Sequence, residues 1–260
     1  MIKAIFFDID GTLIDTSTHT IPSSTITALK QLRKLGYKVA IASGRDMKNI
    51  LDIQDLDISL FDGFVASNGM CIFDENRHCL SKHSYPPEVI TYLFNYANEH
   101  DMTLVFETLD DIYLVNEENP YVDISNAYYH EATPHKRSWQ GEEVVKISCF
   151  QKMEYDFSEV LEHVDLQILA SPTTTYDITL PNVSKLSGIH EIMNHWHLPI
   201  HDFMCFGDHV NDIEMIKGAR LGIAVKDPLG AIELQRIADD TCDAAGNDGI
   251  YHYLKLHQFI

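Results

Sequence analysis

Apolar and polar residues alternate along this chain in two distinct ways. Residues 2–8, IKAIFFD, form a mostly apolar run rich in β formers, the pattern of a strand covered on both faces. PSSTITALKQLRKLG follows as a helix, with Ser23 or Ser24 as the expected cap, Ile26, Leu29 and Leu32 as its apolar face, and Gly36 as its end. YKVAIAS is then a second buried strand ending at Ser43. Near the C-terminus the same grammar returns: HDFMCFGD is a strand ending at Asp208, NDIEMIKGA a short helix closing near Gly218, and LGIAV another strand. A β-α-β order of this kind predicts a parallel sheet with right-handed crossovers.

Between these two parts the pattern changes. PEVITYLFNYANEH places Val89, Tyr92, Leu93, Tyr96 and Ala97 on one helical face. MTLVFET, DIYLVN, VVKISCF, LQILAS and TYDITL are short strands joined by polar turns, with one helix around FSEVLEHV. Strands outnumber helices there, which predicts a mostly antiparallel sheet covered by helices on one face. The chain is therefore expected to be a parallel α/β core into which an α+β domain of roughly 100 residues is inserted.

Composition narrows the partners. The 260 residues include 39 Asp and Glu against 19 Lys and Arg, a net charge of -20. That balance argues against a long contact with nucleic acid or with an anionic membrane surface, but a local cation can still receive a small phosphorylated ligand. Cys71, Cys79, Cys149, Cys205 and Cys242 show no paired metal-ligand spacing and read as reduced thiols, as expected of a cytoplasmic protein. No stretch has the length of a membrane span.

Candidate chemistry gathers where strands are expected to end. Asp8 closes the first strand, with Asp10 two residues on, and ligands of open parallel sheets bind outside the carboxyl ends of the strands. Ser43, Gly44 and Arg45, then Lys185, then Gly207, Asp208, Asn211 and Asp212 fall at comparable places. Asp8, Asp10, Asp208 and Asp212 on one rim would raise one another's pKa values unless a cation offsets them. An oxygen-only donor set suits Mg²⁺. A carboxylate kept ionised in this way can attack phosphorus, while a neighbouring group first protonates the leaving oxygen and then activates water.

The segments DIDGT, SGR, Lys185 and GDHVND resemble, in order, the four motifs of the haloacid dehalogenase (HAD) superfamily phosphatases. More narrowly the chain resembles Cof-type members with a C2 (C2B-like) cap. Only 30 residues separate Thr12 from Ser43, whereas 141 separate Ser43 from Lys185, room for the inserted domain. The ASNGM segment around Asn68, GIAV and the closing NDGIYHYLK are also similar to that subfamily. The resemblance implies a Rossmann-like HAD core at 1–82 and 185–260 and a cap at 83–184 that closes over substrate. It implies Asp8 as nucleophile and Asp10 as general acid/base. Ser43, Gly44, Lys185 and Asn211 would bind the phosphoryl group, and Asp8, the Asp10 carbonyl and Asp208 would hold Mg²⁺. Asp212 would orient Lys185 or a metal-bound water. Leu186 stands where the family usually has Gly, and His209 where it often has a small residue.

The expected function is Mg²⁺-dependent hydrolysis of small phosphorylated metabolites, sugar phosphates or similar, through an aspartyl-phosphate, by a monomer or weak homo-oligomer. A phosphotransferase or phosphosugar mutase, and a phospho-ligand sensor without turnover, are the alternatives. Several residues also have plainer readings. Arg45 fits either a phosphate contact or an ion pair, and Asn68 reads as a turn-former. His195, His197 and His201 lack the spacing of a helical or zinc-finger metal site. Tyr113, Tyr121, Tyr128 and Tyr129 fit packing of the inserted domain better than a lid.

Overall fold

The computed structural model describes residues 1–129 and 132–260. The chain divides into two compact units, Met1–Ser81 with Val183–Ile260, and Lys82–Asn182. Its first part supplies β1 (Ala4–Phe7), α1 (Ser23–Lys34), β2 (Lys38–Ala42), α2 (Met47–Leu51), β3 (Gly63–Ala66), β4 (Cys71–Asp74) and β5 (Cys79–Lys82). The inserted stretch supplies α3 (Pro87–Glu99), β6 (Thr103–Glu107), β7 (Ile112–Leu114), α4 (Pro120–Tyr129), β8 (Lys146–Phe150), α5 (Ser158–His163), β9 (Gln167–Ala170) and β10 (Thr175–Thr179). The chain returns with α6 (Lys185–His195), β11 (Phe203–Gly207), α7 (Ile213–Gly218), β12 (Leu221–Lys226), α8 (Ile232–Ile237), β13 (Asp240–Asp243) and α9 (Gly249–Leu256). No helix among the described residues is long and apolar enough to cross a membrane.

In the first unit an eight-stranded sheet runs in the order β13-β12-β11-β1-β2-β3-β4-β5. Strands β13 through β3 pair in parallel, and β4 turns back antiparallel to β3. All four residues of β1 are fully buried, which explains its unbroken apolar run. Phe7 stacks on Phe206 of β11 at 5.1 Å between centroids. Because β1 lies between β2 and β11, consecutive crossovers leave it in opposite directions, the arrangement that opens a crevice at the strand ends. Phe7 is level with Ile41 on one side and Phe206 on the other, so Asp8, Ser43 and Asp208 emerge at the same edge.

Helix α1 buries Thr25, Ala28, Leu29 and Leu32, and the chain leaves it through Gly36 at φ +90°. Its start differs from expectation. Pro22 occupies the cap position with no side-chain cap, and the Ser24 hydroxyl donates instead to Asp248, ahead of α9. A tertiary acceptor has taken the hydroxyl that local pattern assigned to the helix end.

In the second unit five antiparallel strands run β7-β6-β8-β10-β9. The expectation that helices cover one face needs correction. Tyr176 lies opposite Cys149 and Thr175 opposite Phe150, so Tyr176 and Phe150 point to opposite faces. Phe157, just before α5, packs on Tyr176, and α3 lies beside α5 through Tyr92 and His163. Helix α4 instead packs Tyr121 and Val122 with Val105, Leu114 and Phe150, on the other face. Tyr113 is fully buried, with the Arg137 guanidinium 3.4 Å above its ring centroid, a packing role.

Candidate active site

The turn after β1 brings the first acidic groups to the sheet edge. Leu13 N–H and Ile14 N–H both donate to the Ile9 carbonyl, which folds residues 9–14 into a tight loop. Gly11 adopts φ +79°, and a Cβ there would run into the Asp208 carboxylate, so both backbone and space require glycine. Thr12 Oγ1 donates to Asp208 Oδ1 at 2.8 Å and ties this loop to the end of β11. Asp8 N–H donates to the Phe206 carbonyl at 3.0 Å, continuing the parallel ladder one residue beyond β1.

Lys185 is the first residue of α6, and Ser184 caps that helix reciprocally with Ser187. The Lys185 side chain is completely buried, and its Nζ donates to Asp8 Oδ1 at 2.7 Å and to Asp212 Oδ1 at 2.6 Å. Asp212 Oδ2 accepts from the backbone N–H groups of Asp208 and His209 at 2.9 and 3.0 Å. These bonds fix Lys185 and Asp212 with little freedom. Leu186 packs over Gly218 of α7, where a Cβ would collide with its methyl groups, so the bulk at this position is absorbed within the core.

Electrostatics follow from burial. Burial pushes the Asp8 carboxyl up to about 7, against the lowering effect of Lys185 and with help from Asp212. Burial, then Asp8 and Asp212, push Asp208 well above the usual carboxylate range. Burial alone would lower the Lys185 pKa, but Asp212 and Asp8 outweigh it and the ammonium is held more firmly than usual. Burial also lowers the pKa of the half-buried His209.

Among the described residues, the group of three or more ligating side chains within reach of one another is Asp8, Asp208 and Asp212, whose ligand atoms lie within 4.8 Å. One ammonium faces three buried carboxylates, so the all-oxygen cluster lacks positive charge and suits a hard cation. His195, His197 and His201 form no such group; the His201 ring instead lies 5.9 Å from that of His190.

The remaining sequence candidates divide. Ser43 is buried beside Val65, with its N–H on the Val65 carbonyl, and its Oγ accepts from Arg45 N–H at 3.1 Å. Asn211 Nδ2 donates to Asn68 Oδ1 at 3.0 Å. Asp10 does not join the carboxylate cluster through its side chain. It is gripped by Arg45 through Nε and Nη2, both at 2.8 Å, so the ion-pair alternative for Arg45 is realised. Two contacts had no sequence signal. Thr12 binding Asp208 and Asn68 binding Asn211 both join residues more than 140 positions apart.

An open α/β sheet with buried carboxylates and an ammonium beyond its central strands, interrupted by an α+β insertion, places a charged ligand site at the carboxyl ends of the strands. The haloacid dehalogenase-like hydrolase family model matches residues 5–254, and the chain belongs to that family. The YkrA protein of Bacillus subtilis is 28% identical over 258 residues, covering 97% of this chain and 96% of that protein. Another Bacillus subtilis relative, 5-amino-6-(5-phospho-D-ribitylamino)uracil phosphatase YitU, is 24% identical, with 96% of each covered. Among solved structures, the sugar phosphatase BT4131 of HAD subclass IIB superposes with a TM-score of 0.88 at 29% identity, covering 99% of this chain and 100% of that one. BT1666 from Bacteroides thetaiotaomicron gives 0.89 at 25% identity, covering 100% and 96%. The fold is thus a Rossmann-like HAD core with a cap, of the Cof type, and the chain is a phosphoric monoester hydrolase.

Proposed function

We propose that the chain hydrolyses small phosphorylated metabolites, sugar phosphates or similar, with Mg²⁺ and through an aspartyl-phosphate on Asp8. The catalytic core is assigned to residues 1–82 and 185–260 and the cap to 83–184. The observation that carries this reading is Lys185 Nζ shared between Asp8 and Asp212 at 2.7 and 2.6 Å, outside the central strands of a family hydrolase. Asp8 Oδ1 is held by the ammonium, which leaves Oδ2 to attack phosphorus. As the bond to the leaving oxygen breaks, Asp10 in its acid form gives that oxygen a proton; the carboxylate this leaves then takes a proton from the water that attacks phosphorus and frees Asp8, which returns Asp10 to the acid form. Ser43, the backbone at Gly44, Lys185 and Asn211 donate to the phosphoryl oxygens. Asp8, the Asp10 backbone carbonyl and Asp208 would hold Mg²⁺, and Asp212 keeps Lys185 aimed at Asp8. Bound there, Mg²⁺ supplies the charge that keeps the carboxylates ionised and draws electrons from a phosphoryl oxygen.

The purified protein is expected to release phosphate from hexose phosphates with Mg²⁺, to stop when EDTA removes the metal, and to recover when Mg²⁺ is restored. Undiminished turnover in EDTA, or no release from any phosphomonoester tested, contradicts the reading.

Arg45 sets where the Asp10 carboxylate stands before substrate arrives. Arg45→Met is therefore expected to lower kcat on alkyl phosphates by about 10- to 100-fold, at or below the low end of the roughly 100- to 10,000-fold that a positioned acid–base group contributes, because Asp10 itself remains. p-Nitrophenyl phosphate, whose leaving group needs little protonation, should suffer less. Equal losses on both substrates would remove Arg45 from this role.

A further inference from the structure

The connection from β3 to β4 has a backbone that a simple reversal would not require. Ser67, Asn68 and Gly69 follow one another at φ +51°, +54° and +95°, all in the left-handed region. Asn tolerates that region better than most residues and Gly adopts it freely, but Ser gains nothing there. The turn is also buried, with Ser67 at 2% and Asn68 at 1% exposure, although connecting segments normally lie at the surface. Strained backbone that persists in a buried place is held by its surroundings, and such places cluster at functional sites.

Its surroundings are the segments assigned to the phosphoryl group. Ser67 N–H donates to the Arg45 carbonyl and Asn68 N–H to the Ser43 carbonyl, both at 2.9 Å, so the turn grips the chain on either side of Gly44. A Cβ on Gly69 would run into the carbonyl of Ser184, the capping residue that precedes Lys185. Asn68 Oδ1 accepts from Asn211 Nδ2 at 3.0 Å. One three-residue turn thus touches the Ser43, Lys185 and Asn211 segments at once.

We infer that Asn68 is a positioning residue that fixes which way the Asn211 amide faces. A side-chain amide has a donor end and an acceptor end of nearly the same shape, and nothing intrinsic decides between them. A neighbouring amide ties that choice to its own orientation, because two carbonyl oxygens repel each other. With Asn68 Oδ1 holding one hydrogen of Asn211 Nδ2, the second hydrogen of that nitrogen remains for an anionic oxygen. Turned over, Asn211 would present its own carbonyl oxygen to the phosphoryl group and repel it. This inference rests on the reading of Asn211 as a phosphoryl contact.

The backbone and side-chain contributions of Asn68 can be separated. Asn68→Gly keeps the left-handed turn and removes only the amide. It is expected to lower kcat/KM for a hexose phosphate about tenfold and to weaken inhibition by inorganic phosphate to match, the worth of one charge-assisted hydrogen bond. In a double-mutant cycle, Asn211→Ala should cost about tenfold in the wild type and little in the Asn68→Gly background. Asn68→Asp, which retains an acceptor oxygen and tolerance for the turn, should restore the cost of Asn211→Ala; if the glycine variant does not fold, Asn68→Ala, which also lacks the amide, takes its place in the cycle with the same expected losses. Wild-type kinetics in Asn68→Gly, or losses that simply multiply, overturn the inference while leaving the phosphatase reading intact. A wild-type protein that neither hydrolyses phosphomonoesters nor binds inorganic phosphate overturns that reading, and the inference with it.

Discussion

Asp8→Asn is expected to reduce phosphate release by on the order of ten-thousandfold or more, the scale seen when a covalent nucleophile is removed. The substitution is nearly isosteric and leaves Lys185 an oxygen to donate to, so the loss would be chemical and not conformational. Stability should move the other way. In the metal-free protein burial raises the Asp8 pKa to about 7. A carboxyl whose folded pKa lies above its unfolded value contributes stability that is fully present below the unfolded pKa, near 4, and is lost as pH rises through about 7. Asparagine does not titrate. The melting temperature of Asp8→Asn relative to wild type, both in EDTA, should therefore climb between pH 4 and 7 and stay higher above it. An unchanged difference across that window would mean that burial does not raise the Asp8 pKa in the folded protein.

Lys185→Met is the second large effect. It removes the cation that is hydrogen-bonded to both Asp8 and Asp212, and the Lys185 side chain has no solvent contact. Truncating one partner of a buried charge network leaves the others uncompensated, at about 3–5 kcal/mol. In a domain of this size that corresponds to a fall in melting temperature of about 6–20 °C. Activity should fall by about a hundredfold to a thousandfold if, as proposed, Lys185 donates to the phosphoryl oxygens, because that donor is lost with the charge. The two variants test each other: adding Asp8→Asn to Lys185→Met should recover part of the stability and none of the turnover. If Lys185→Met melts like the wild type at neutral pH, the buried network is not organised around this ammonium.

The central strands β1, β2 and β11 were legible because they are almost wholly buried, whereas the edge strands β5 and β13 are partly or largely exposed and carry no apolar run. An uninterrupted apolar run such as AIFF, too short for an ordinary buried helix, reads as a strand covered on both faces, and the runs of β1 and β2 end where Asp8 and Ser43 begin. Ordered spacing then placed Asp8, Ser43 and Asp208 at one edge, where parallel register brings them together. What the pattern concealed was set by partners far away in sequence. Helix α4, PYVDISNAYY, carries β-branched, aromatic and Asn/Asp/Ser residues of modest helix propensity, and it forms where Val122 and Tyr121 can pack on Val105 and Phe150. Ser24 had an equally good local use as a cap, but the Asp248 carboxylate lies close enough to accept its hydrogen bond. Arg45 carried two meanings until Asp10 stood 2.8 Å from it. Asn68 looked like an ordinary turn residue because its neighbour Asn211 arrives from 143 positions away.

The central claim is that Asp8 becomes phosphorylated during turnover. Enzyme turning over a hexose phosphate with Mg²⁺ should be quenched in acid and reduced with borohydride, which converts an aspartyl-phosphate to homoserine, and the peptide spanning residues 4–30 then sequenced by mass spectrometry. Homoserine at position 8, dependent on substrate and lost in Asp8→Asn, is the predicted result. Homoserine at position 10, or an unmodified position 8 under conditions where Asp8→Asn still turns over, would contradict the account.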